Sequence, residues 1–215
     1  VQGIFEIHPI PRRFCACNGA MITLYISPTS PYARITRIIA RDCGAIDDLD
    51  EVIATKRVVD SDFFEISPVA RVPALVVRGR LIADTRDIVG YFEDTYGGGW
   101  LGRETPLQQT YRHVVMGLLD GLAVWARELK RDVRVCDANV IEYECHRAEQ
   151  ALRWLDANAL ACQTWNFSGV ALVVAMEMAQ HRGLMPAKRL WELAPDVMAW
   201  VAAQSTRDSV IATRP

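Results

Sequence analysis

The chain has 215 residues, 51% of them hydrophobic and 23% charged, with a formal net charge of −2. Domains usually run to about 100–150 residues, so this length falls between one domain and two. The apolar share excludes a disordered or fibrous chain, and the near-neutral charge argues against a protein built to grip nucleic acid or an anionic membrane. No apolar run approaches the roughly 20 residues of a membrane span.

Residues 1–20 hold Pro9, Pro11, Arg12, Arg13 and Asn18-Gly19 without a period of 2 or 3.6. They lack the apolar stretch of a secretory signal and read as an N-terminal extension, either a tail or an extra edge segment. Met21 opens a more regular region and is a candidate natural start. Ile22-Thr23-Leu24-Tyr25-Ile26 is β-branched and aromatic, as a buried strand should be. The turn cluster Ser27-Pro28-Thr29-Ser30-Pro31 stops it, and Ser30 before Pro31 is a helix-start signal. Ile35, Ile38, Ile39 and Cys43 then share a helical face, with Gly44 as C-cap. A second strand is expected around residues 50–55. Ala74-Leu75-Val76-Val77 and Leu81-Ile82-Ala83 flank Arg78-Gly79-Arg80 as a tight hairpin, and a helix over residues 85–96 ends at Gly97. Strand, helix, strand, hairpin and helix is the thioredoxin-like order.

Beyond Gly97-Gly98-Gly99 the pattern changes. Leu107, Tyr111, Val114, Leu118, Leu122, Trp125 and Leu129 recur at helical steps, and a second helix runs from about Ala138 through Leu155. Residues 168–180 are apolar nearly all round, which predicts the buried centre of a bundle. A fourth helix begins near Pro195. The expected fold class is therefore α/β plus all-α: a thioredoxin-like domain over 21–97, a linker over 98–105 and an all-helical domain over 106–215.

The six cysteines, at 15, 17, 43, 136, 145 and 162, lack the spacing of zinc or dithiol sites, and the four histidines show no metal spacing. No metal is expected, and unpaired cysteines fit a reducing cytoplasm. Ser30, Asp84 and Thr85 are, on the residues alone, helix caps.

The combination resembles the glutathione transferase superfamily from Met21 onward. Residues 24–34 are similar to the strand–turn–helix that carries the family's catalytic Ser, Cys or Tyr. Residues 67–75, with Val72-Pro73, resemble its loop ending in a cis Val-Pro bond. Asp84-Thr85, followed by Tyr91-Phe92, stands where the family usually has Glu-Ser and an apolar helix. Residues 200–215 resemble the tail of bacterial members.

The resemblance implies glutathione as co-substrate, with its thiolate attacking a small hydrophobic electrophile. Ser30 takes the thiol-activating position, and because it is not Cys the implied chemistry is thiolate activation rather than mixed-disulfide exchange. Ser27, Thr29 and Tyr25 are its alternates, Tyr25 more in keeping with a core role. Val72 and Pro73 would pair with the cysteinyl backbone, and Asp84 and Thr85 would hold the γ-glutamyl end. Arg71 would meet the glycyl carboxylate or stand as a solvated surface residue. The electrophile is expected against the long helix at Tyr111, His113, Met116, Gly117 and Asp120. A homodimer is implied; neither nucleic acid nor membrane is. A glutathione-dependent isomerase, dehalogenase or peroxidase, and a non-catalytic binding protein of the same fold, remain alternatives.

One position departs from the family. Its buried helix usually opens with Ser or Thr and carries Asp three residues later; here Asn166 is the cap and Gly169 replaces Asp. The expectation is a lost reciprocal bond worth about 1 kcal/mol.

Overall fold

The computed structural model describes residues 22–54 and 58–215. The expected extension over 1–20, together with Met21 and Thr55, lies outside the described residues. Contacts divide the chain into two compact units between Gly97 and Gly98.

The first unit is a four-stranded sheet with two helices. Strands β1 (Ile22–Ile26), β2 (Leu49–Ile53), β3 (Ala74–Val77) and β4 (Arg80–Ile82) lie in the order β2-β1-β3-β4. The β1–β2 pair is parallel, and a parallel pair needs a crossover, which helix α1 (Pro31–Asp42) supplies. The β1–β3 and β3–β4 pairs are antiparallel. Arg78 (φ 49°) and Gly79 (φ 81°) both adopt left-handed φ, as a two-residue hairpin with the sheet's twist requires. Helix α2 (Thr85–Tyr96) packs on α1 and β3. One sheet face buries Tyr25, Ala74 and Val76 with Phe63 and Ile66, and the Tyr25 and Phe63 rings lie 5.5 Å apart. By strand alternation Leu24 and Leu75 face the other way, and both are fully buried.

Two polar anchors fix the helices. Arg37 Nε and Arg41 Nη1 each donate to a separate oxygen of Glu51 on β2 at 2.9 Å, tying α1 to the edge strand. The Tyr96 hydroxyl donates to Asp48 at 3.0 Å and ties the end of α2 to the 3₁₀ turn Ala45–Asp48. Burial, then the Asp48 carboxylate, push the Tyr96 phenol up to about 12.

The second unit is helical: α3 (Pro106–Glu128), α4 (Ala138–Ala157), α5 (Ala159–Cys162), α6 (Phe167–His181), α7 (Ala187–Leu193), α8 (Pro195–Gln204) and α9 (Asp208–Ile211). The short helices α5, α7 and α9 are too brief to leave a sequence period. Helix α3 starts with a reciprocal box: Thr105 Oγ1 accepts from Gln108 N at 3.3 Å, and Gln108 Oε1 accepts from Thr105 N at 2.9 Å. Helix α6 is buried on every side from Phe167 to Met176, with Val170, Ala171, Leu172, Val173 and Ala175 fully enclosed, and it packs against α3 and α8.

The start of α6 makes the expected cap and replaces the lost reciprocal bond with a backbone one. Asn166 Oδ1 accepts from Gly169 N at 3.1 Å, so the cap is made. The Asn166 N–H, which an Asp at 169 would satisfy, donates instead to the Thr164 carbonyl at 3.0 Å. A Cβ at residue 169 would collide with that carbonyl oxygen and lie 2.8 Å from the Trp200 ring. Glycine is therefore the residue this close approach demands. The backbone of the preceding turn does the work of the missing carboxylate.

Candidate functional site

Strand register brings three chain segments to one end of the sheet. Tyr25 pairs with Ala74, so Ile26 and the turn after it lie beside Pro73. Leu75 pairs with Ile82, so Ala83 and Asp84 lie on the other flank of Ala74. The chain enters α1 from the first segment and α2 from the third, so the N-termini of both helices open at that end of the sheet, flanking the loop that leads to Pro73. A helix N-terminus carries partial positive charge and unmade N–H donors.

Ser30 is the N-cap of α1 (φ −81°, ψ 120°) and is half-buried. Its Oγ accepts from Ala33 N at 3.3 Å, its N–H donates to the Ser27 carbonyl at 3.0 Å, and its carbonyl accepts from Arg34 N at 3.0 Å. A hydroxyl has two lone pairs and one proton, so capping occupies an acceptor and leaves the O–H to donate elsewhere. The capping and the thiol-facing readings of Ser30 are thus compatible. The first turn of α1 contains no Asp or Glu.

Asp84 is the N-cap of α2, and its Oδ1 accepts from Arg86 N at 3.0 Å. The carboxylate is exposed, whereas Thr85, the first helical residue, is only 6% exposed. Asp87 adds a second exposed carboxylate in the first turn of α2. The Val72–Pro73 peptide bond is cis, and so is Ala83–Asp84, a non-proline bond that no sequence signal announces. Pro73 is buried, Val72 half-buried and Arg71 exposed.

The alternates to Ser30 separate clearly. Tyr25 is 6% exposed and its ring packs on Phe63, so it is core. Thr29 is exposed, and Ser27 is half-buried with its carbonyl engaged by Ser30. On α3, the expectation that Tyr111 faces an electrophile fails: it is 1% exposed and its ring lies 6.2 Å from Trp154, inside the helical unit. Burial pushes its phenol well above the ordinary range. His113 and Asp120 are exposed, Met116 and Gly117 are half-buried, and a Cβ at Gly117 would meet nothing within 4 Å.

Cys43, Cys136, Cys145 and Cys162 are free thiols. Burial raises the pKa of Cys43, Cys145 and Cys162, and Glu149 adds to the effect at Cys145. The thiolate is the reactive form of a cysteine, and burial works against it at these three. Cys15 and Cys17 lie outside the described residues. Among the described residues no group of three His, Cys, Asp or Glu is placed to hold a metal ion, and no helix is long and apolar enough to cross a membrane.

Residues 29–95 match the family model of the glutathione S-transferase N-terminal domain. The fold is shared with a glutathione transferase family member from Pseudomonas fluorescens Pf-5, solved with bound glutathione (TM-score 0.81, 22% identity, covering 90% of this chain and 98% of that one). It is shared equally with a glutathione S-transferase from Methylobacillus flagellatus KT, solved with glutathione bound (TM-score 0.79, 22% identity, 90% and 99% coverage). Gtt2 from Saccharomyces cerevisiae is similar at TM-score 0.70, 17% identity, and 89% and 99% coverage. A search of curated proteins finds no match. The family match is confined to residues 29–95, and the thioredoxin-like unit followed by a helical unit is the fold of these solved glutathione transferases.

Proposed function

We propose that the chain is a glutathione transferase that uses glutathione as co-substrate and acts on a small hydrophobic electrophile. The observation that carries this reading is the meeting of Ser30, Pro73 and the Asp84-Thr85 pair at one end of the sheet, each at a helix start or beside the central strand. Glutathione supplies a nucleophilic thiolate once its thiol is ionised.

A free thiol has a pKa near 8.5, so only a few per cent is ionised at neutral pH. Ser30 donates its hydroxyl proton in a hydrogen bond toward the sulfur while its lone pair keeps the cap on Ala33 N. The N-terminus of α1, with no carboxylate of its own in the first turn, favours the negative charge there. Helix α2 is complementary to a zwitterion. Thr85 and the helix N–H groups suit the γ-glutamyl carboxylate, and Asp84 suits its ammonium with the carboxylate oxygen that is not capping Arg86 N. Val72 and Pro73 offer backbone groups to the cysteinyl part, and exposed Arg71 answers the glycyl carboxylate. The fit rests on donor chemistry: a hydroxyl able to cap and donate together, and one helix start that carries carboxylates beside another that carries none.

The relatives solved with glutathione support the ligand. We further propose that residues 21–97 form the glutathione-binding domain, 98–105 a linker and 106–215 the helical domain, that the protein works as a homodimer, and that it resides in the cytoplasm. Retention on immobilised glutathione together with turnover of an aryl halide tests the activity. Retention without turnover favours a binding protein, and absence of both removes the reading. Mass in solution tests the dimer.

A further inference from the structure

We draw no further inference here: the strongest candidate, the run of exposed apolar side chains Val58, Val59, Phe64 and Val69 on the segment between β2 and β3, carries nothing because no feature of the structure shows what covers it.

Discussion

Helices α1 and α6 start with the same device and put it to different ends. In each, a polar side chain at the N-cap accepts from the amide three residues on, Ser30 from Ala33 and Asn166 from Gly169. At α6 the surroundings close over the cap: the Thr164 carbonyl takes the Asn166 N–H and fills the space of a side chain at 169, with Trp200 behind it. At α1 the cap is half-buried at a sheet end where another helix also starts. A capping bond therefore does not decide between structure and chemistry. What decides is whether the remaining hydrogen-bonding capacity of the cap faces protein or a ligand.

This contrast is open to attack at both ends. The largest effect is expected at the closed cap, where Gly169→Ala forces a methyl against backbone and should destabilise the protein by about 2–3 kcal/mol. Chemical denaturation reads this directly. Stabilisation instead, by up to about 1 kcal/mol from the better helix propensity of Ala, would mean the turn at Thr164 gives way. At the open cap, Ser30→Ala should lower turnover about tenfold to a hundredfold through loss of one hydrogen bond to an anion, while unfolding shifts by only about 1 kcal/mol. A loss of stability matching the loss of turnover would make Ser30 structural only. Ser30→Cys sharpens the same point: a thiol at a helix N-terminus is acidified, so with oxidised glutathione the variant should exchange to a mixed disulfide, releasing one reduced glutathione and visible as added mass.

Thr85→Val comes next. It keeps the shape of a nearly buried residue and removes its hydroxyl, and should weaken glutathione binding about fivefold to tenfold in calorimetry. The smallest effect concerns the anchor of α2. The Tyr96 phenol is pushed up to about 12, so above pH 10 the folded chain retains a proton that the unfolded chain loses. Stability from this group is complete below pH 10 and fades as pH rises toward 12. Tyr96→Phe should flatten that alkaline limb of the stability profile.

Much of the fold was legible because its punctuation is local. Ser30-Pro31 marks the start of α1, Arg78-Gly79 the hairpin, and the unbroken apolar run around Val173 the buried helix. The site residues were legible only as helix starts; their meeting at one sheet end depends on the register of β1, β3 and β4, which no short window of sequence contains. Tyr111 shows the opposite failure. It lies in the apolar period of α3, yet the resemblance assigned it to a substrate surface, and the bundle, not the period, buries it against Trp154. At Gly169 the sequence shows only a missing carboxylate, because the group that takes the Asn166 N–H in its place, the Thr164 carbonyl, is a backbone atom that side-chain patterns do not register.

The central claim is that Ser30 at the start of α1 ionises the thiol of glutathione. Thiolate absorbance of the glutathione complex, titrated against pH for the wild-type chain and Ser30→Ala, tests it most directly. The expected result is a bound-thiol pKa well below the ordinary value near 8.5 in the wild type, and a return toward that value in the variant. Identical titration curves for the two proteins, with glutathione bound in both, would contradict it.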